Sequence, residues 1–283
     1  MQSILHLTDF SETAREAYRY AITIAKKHQA ALHIVHIYNR PYASIAYQGG
    51  LSAVIDVEMD RRIRHELAQH LTAYAKSENT QDVEIHAHLL ADYAVWHVSD
   101  YIDKFPGTGL LVMGTRGATS IWHGGLFGTN TARVIRHSPV PVLAIHPKNT
   151  YKPYEKVLLP VEVFEEKSLP IIQKAIEFLK PWEGVRLILV IINTPYVFYD
   201  TVTIQSFTDR LRSQISYPAW ELKVYNDISV EEGLRQAMET EKADLLIMGT
   251  HARKGLAQFL FGSITENVAQ HLSYPLLAIP MES

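Results

Sequence analysis

The chain contains no cysteine. Disulfides, thiolate nucleophiles and cysteine-based zinc sites are therefore excluded. It has no marked excess of either charge: 27 Lys and Arg against 30 Asp and Glu leave a formal charge of -3 and a pI near 6.5. No broad basic field invites nucleic acid or an acidic membrane surface. No apolar run reaches the length of a membrane span. Met1-Gln2-Ser3-Ile4-Leu5 runs straight into a strand pattern, so no signal peptide is expected and a reducing cytoplasm is the expected location. There is no G-x-x-x-x-G-K-[ST] and no G-x-S-x-G, which removes P-loop hydrolysis and the nucleophile elbow. His65-Glu66-Leu67-Ala68-Gln69-His70 is one residue too long for a zincin helix, because helical residues five apart differ by about 140° around the axis. No metal site is expected there. His86 and His88 share one strand face and read as solvated or packed imidazoles.

What is present is an ordinary globular balance, 47% hydrophobic and 20% charged, in 283 residues, a comfortable length for two α/β domains. Apolar runs and helical periods alternate. Strands are expected at 4–7, 31–38, 83–90, 110–113 and 140–145. Helices are expected from Ser11 onward, over about 54–76, 93–104 and 130–137. The aromatic stretch Asn39–Leu51 reads as a loop, and Pro139 and Pro141 place the fifth strand at a sheet edge. After a polar, Pro-containing linker from His146 to Glu155 the order restarts: strands at 157–160, 185–192, 221–225, 245–248 and 276–279, helices at 168–180, 230–241 and up to about 271. Met113-Gly114 recurs as Met248-Gly249, and Leu126-Phe127-Gly128 as Leu260-Phe261-Gly262. That is an internal repeat. The expected domains are 1–148 and 155–283, each a five-stranded parallel sheet with helices on both faces. Ligands of such sheets bind beyond the strand carboxyl ends, where the strand order reverses. Asp9 and Gly114 each end a strand and belong to that edge. The last strands, 140–145 and 276–279, are candidates to meet within the chain as a pseudo-dimer, leaving room for a homodimer.

Two motifs carry a resemblance. Ile4-Leu5-His6-Leu7-Thr8-Asp9-Phe10-Ser11 resembles the opening of a universal stress protein domain. Gly249-Thr250-His251-Ala252, nine residues, then Gly262-Ser263 resembles that family's G-x-x-G-x9-G-S/T nucleotide loop. The likeness covers nearly the whole chain as a tandem. It implies a Rossmann-like fold of the adenine nucleotide alpha hydrolase type and a cytoplasmic stress-response protein that binds ATP or another adenine nucleotide, with magnesium as an accompanying ion. It implies no enzyme beyond slow ATP hydrolysis, and protein partners of unknown identity.

Carried over, the resemblance assigns Thr8, Asp9, the main chain of Ile37, Gly114, Arg116, Gly117, Gly128, Thr129 and Asn130 in the first half. In the second it assigns Gly249, Gly262, Ser263 and Ile264, with Ile191 on the second strand. Glycines let main chain approach an anion without a Cβ in the way, and successive N–H groups form a cradle. The first half has ten residues rather than nine between Gly117 and Gly128. The second has Glu162 in place of the Asp and Ala252 in place of a Gly. Two readings stay open. Asp9 holds adenosine or caps its turn, and Ser263 with Glu266 meets a phosphate or closes a capping box. On the first reading the chain is a nucleotide-responsive stress protein. On the second it is an interaction module of the same fold with degenerate sites.

Overall fold

The computed structural model describes residues 1–47, 50–95, 97–115, 129–163, 168–251 and 274–281. The first half runs β1 (Ser3–Leu7), α1 (Glu12–His28), β2 (Ala31–Tyr38), β3 (Tyr42–Tyr47), β4 (Gly50–Ile55), α2 (Val57–Ala75), β5 (Ile85–Ala91), α3 (Ser99–Ile102), β6 (Thr108–Gly114), α4 (Thr129–His137) and β7 (Val142–Ile145). The second runs β8 (Lys156–Pro160), α5 (Ser168–Leu179), β9 (Arg186–Asn193), α6 (Thr201–Gln214), β10 (Trp220–Asn226), α7 (Val230–Glu241), β11 (Leu245–His251) and β12 (Leu276–Met281).

Strands that are apolar along their whole length are buried on both faces, as parallel sheets require. β1 and β7 are buried at every position. α1 is amphipathic for the complementary reason. Ala14, Ala17, Tyr18, Ala21 and Ala25 keep a helical period and are buried, and the Ser11 hydroxyl accepts from Ala14 N to satisfy the helix start.

Among the described residues, every strand but β3 and β4 joins one sheet, in the order β10-β9-β8-β11-β12-β7-β6-β1-β2-β5. Each half is parallel within itself. They join through one antiparallel pair, β12 against β7, with Leu276 opposite Ala144, Leu277 opposite Leu143 and Ala278 opposite Val142. Both faces of this seam are packed, since each of the two hydrophobic cores draws residues from both halves. A second contact ties the halves together: His28 at the end of α1 lies 5.4 Å from Trp182 and 5.9 Å from Phe178, ring centre to ring centre.

Four expectations are corrected. β7 lies between β6 and β12, inside the sheet. Both prolines precede Val142, the first residue of its ladder, so neither removes an interstrand hydrogen bond, and Pro141 O accepts from Leu111 N at 2.9 Å. The stretch 39–51 is mostly a hairpin, β3 against β4. Its base is held by Asp92, which accepts from Arg40 N at 2.8 Å and from the Tyr42 hydroxyl at 3.0 Å. The helix expected over 93–104 shrinks to α3, four residues flanked by turns. Between Ile192 and Glu221 stands a further helix, α6, with Asp200 accepting from Thr203 N at its start and Phe207 and Leu211 buried one turn apart.

Candidate functional site

In each half the first strand feeds one way to the second and third and the fourth feeds the other way to the fifth. The switch point therefore falls between β1 and β6 in the first half and between β8 and β11 in the second. Thr8, Asp9 and Phe10 leave β1 at this edge. Phe10 takes a left-handed backbone (φ 65°), Phe10 N donates to the Thr8 hydroxyl at 3.0 Å, and Ser11 N donates to Asp9 Oδ1 at 3.1 Å. Asp9 is exposed and Thr8 is buried. The turn-capping role of Asp9 is thus observed, with the carboxylate at the crevice mouth.

β2 outruns its neighbour here. The β1–β2 ladder ends at Leu7 opposite Val35, with Thr8 N donating to Val35 O at 2.9 Å, whereas β2 continues to Tyr38. The main chain of Ile37 therefore passes the crevice beyond the last β1 ladder pair while still pairing with Leu90 on β5. Behind it, His36 Nδ1 donates to Thr8 O at 2.8 Å, and the ring lies 4.4 Å from that of Phe10. Burial is the main influence lowering the pKa of His36. One layer deeper, His6 is fully buried, with Nδ1 3.2 Å from Val112 O and Nε2 2.9 Å from the Tyr74 hydroxyl. Desolvation pulls its pKa from the ordinary 6.5 down to about 4, against weaker upward pulls from Val112 O and Asp9. The floor beneath the crevice is a neutral imidazole held between strand and helix α2.

On the β6 side, Gly114 packs against α1: a Cβ there would stand 2.9 Å from Thr13 Cγ2 and 3.2 Å from Ala14 N. Its missing side chain makes room for the helix start. Thr115, next along, is 2% exposed, and its hydroxyl has no hydrogen-bond partner among the described residues. Thr131 of α4 donates to Gly114 O or Thr115 O, both at 3.3 Å, which pins the start of α4 to the same edge. Thr129 and Asn130 form its first turn, with Asn130 exposed.

The described structure thus brings Thr8, Asp9, Ile37, Gly114, Thr129 and Asn130 to one edge. Arg116, Gly117 and Gly128 lie outside the described residues, as do Ala252, Gly262, Ser263 and Ile264. In the second half Gly249, the counterpart of Gly114, lies inside β11, which runs on to His251, and its absent Cβ faces Ile171 Cδ1 and Met281 Sδ. The hydroxyl of Thr250, counterpart of Thr115, donates to Ile279 O at 3.4 Å. Glu162 stands where the first half has Asp9, and its carbonyl accepts from Ser168 Oγ at 3.0 Å. Sequence reasoning missed Thr115 and His36. Nothing marks either beforehand except adjacency to Gly114 and to Ile37.

The comparisons agree with this geometry. The universal stress protein family profile matches residues 1–146 and again 153–280. The chain belongs to the universal stress protein family. The universal stress protein Slr1230 of Synechocystis is 25% identical over 98% of this chain and 99% of its own. Among solved structures, a universal stress protein from Archaeoglobus fulgidus superposes with a TM-score of 0.70 at 16% identity, covering 98% of both chains. A universal stress protein from Pseudomonas aeruginosa superposes with a TM-score of 0.62 at 17% identity, covering 99% of this chain and 93% of that one. These likenesses show the tandem fold. Among the described residues of this universal stress protein, no helix is long and apolar enough to cross a membrane.

Proposed function

We propose that the carboxyl edge of the first half binds ATP or another adenine nucleotide. The observation that carries this reading is the buried, unpartnered hydroxyl of Thr115 at the switch point, opposite Asp9 and beside the start of α4. A buried hydroxyl without a partner costs free energy that a bound polar group recovers. Asp9 and the main chain of Ile37 would hold the nucleoside. Thr115, Gly117, Gly128, Thr129 and Asn130 would hold the phosphates at the amino end of α4, where orphan N–H groups and the helix dipole favour anions, with Arg116 and magnesium adding positive charge. In the second half Gly249, Gly262, Ser263 and Ile264 are the corresponding assignment.

The mechanism is binding-linked population shift and not turnover: the nucleotide favours the conformation whose loops contact it, and that conformation meets partners differently. His6, the nearest deep imidazole, is occupied by Val112 and Tyr74 and held neutral, so it is not free to activate water. ATP with magnesium should raise the melting temperature of ligand-free protein, since ligand at a hundred times Kd adds about 2.7 kcal/mol to stability. Asp9→Ala and Gly117→Val should remove the effect. No shift at saturating nucleotide would overturn the proposal in favour of an interaction module. That second reading is better supported for the second half, where Thr250 is satisfied internally and Glu162 replaces the shorter acid.

A further inference from the structure

Away from the carboxyl edge, on the two outer strands of the first half, three histidines share one face. His86 and His88 are two apart on β5 and so point the same way. His33 on β2 stands directly opposite His86 in the parallel ladder. The ring centres lie 5.1 Å apart for His33 and His86, 5.3 Å for His33 and His88, and 6.4 Å for His86 and His88. Phe105 covers the group from one side, 5.2 Å from His33 and 5.0 Å from His88. His33 and His86 sit near the amino ends of their strands and His88 at the middle of β5, all away from Asp9 and Thr115.

We propose that His33, His86 and His88 form a binding site for a divalent transition-metal ion of the zinc type. His33 Nδ1 and His88 Nε2 already face each other at 3.1 Å. Two nitrogens bound to one tetrahedral zinc at about 2.0–2.1 Å lie roughly 3.3 Å apart, so the spacing already suits a shared ion and each ring need only tilt to turn its lone pair from the N–N line onto the metal. The ring that donates their present hydrogen bond shifts its proton to its other nitrogen, and both lone pairs then face the metal with no net loss of protons. His86 is the ligand that must turn. It stacks on His33 and points Nε2 at Glu84 Oε1, 2.9 Å away, so among the described residues no three donors converge as the rings lie. Its side chain is 44% exposed and its carboxylate partner 72% exposed, and a solvent-exposed pair of this kind contributes little to stability. Turning it disturbs no core. Glu84 moves with it as a fourth ligand, through oxygen, or as the carboxylate that orients a ligating ring.

The second half shows that the fold does not require these residues. By ladder register the counterparts of His33, His86 and His88 are Ile188, Glu221 and Lys223. Ile188 is fully buried, and Lys223 pairs with Glu241 of α7 at 2.7 Å. There a twelve-residue helix lies over the face, whereas the first half has only the four residues of α3. The short helix leaves imidazoles where the long one would have sealed them.

Calorimetric titration of the untagged full chain with zinc chloride tests the site, with visible absorption of the cobalt form as a second readout. Because the chain has no cysteine, ligand-field bands report imidazole and carboxylate ligands without thiolate charge transfer. One zinc per chain is expected, weakened at least tenfold by His86→Ala and by His88→Gln and unchanged by His65→Ala on the exposed face of α2. Near-ultraviolet circular dichroism checks that the variants are folded. If His88→Gln fails to fold, the exposed His86→Ala decides. Absence of one-to-one binding overturns the proposal, as does equal affinity in His86→Ala or an equal loss in His65→Ala.

Discussion

The two halves have the same strand order and the same ladder registers, yet they treat matching positions in opposite ways. Where the first half places polar groups in its interior or at its carboxyl edge, the second places apolar or internally satisfied ones. His6 is matched by Leu159, His33 by Ile188, and the unpartnered Thr115 by Thr250 bonded to Ile279 O. Buried polar groups are costly unless paired, so their presence in one copy and loss in the other is what the proposed site in the first half predicts. The seam between β7 and β12 gives the scaffold something to do: it turns two five-stranded sheets with exposed edges into one of ten.

The largest test of this division is the seam. Leu277→Asp puts a carboxylate into a position 1% exposed opposite Leu143 and should cost more than about 4 kcal/mol. Urea unfolding followed by probes in each half should show both halves losing stability together; loss confined to the second half would mean that the seam does not couple them.

Next is acid sensitivity. The folded pKa of His6, about 4, lies below the ordinary 6.5, so the unfolded chain takes up the proton first. Stability should therefore fall as pH drops from about 6.5 and level off below about 4, a change of about 3 kcal/mol. His6→Leu, which copies Leu159, should flatten this limb in denaturant titrations at stepped pH. An unchanged limb would place the acid sensitivity elsewhere.

Smaller still is the contrast between glycines. Gly114→Ala pushes a methyl against the backbone of α1, which cannot yield, and should cost about 1–3 kcal/mol. Gly249→Ala meets the flexible ends of Ile171 and Met281 and should cost less than Gly114→Ala. Equal losses in calorimetric scans would remove that distinction. The smallest effect is a gain. Glu162→Asp with Ala252→Gly should create or strengthen adenylate binding in the second half by up to about tenfold, about 1.4 kcal/mol. Unchanged affinity by titration would show that the second site has been misplaced.

Much of this was legible in advance. Ser11 as a helix cap, the alternation of apolar runs with helical periods, and the repeat of Met-Gly at 113–114 and 248–249 are local signals, and the structure places most of them within two or three residues. The hairpin of β3 and β4 was legible too but went unread: Gly49-Gly50 stands between two β-rich runs, a turn signal outweighed by the expectation of a loop. α6 carried its own signal in Asp200 followed by Phe207 and Leu211 at helical spacing. The brevity of α3 had a local signal as well: in 93–104 only Ala94 and Lys104 are strong helix formers, and the rest are β-branched, aromatic or short polar residues. The prolines before β7 misled for a different reason. Proline marks a missing donor, and whether that donor was needed depends on where the ladder begins.

The order of residues alone determined a duplicated α/β unit, since periodicity and chain order are local properties that survive without a third dimension. It also determined that Gly114 ends a strand and that Asp9 follows one, two residues past Leu7. Only the tertiary structure decided that the two last strands pair with each other, that Gly114 is small for the sake of a helix, and that His33 lies across from His86. Those facts depend on which distant segments share a ladder register, and register is set by the packing of whole faces and not by any one segment's composition.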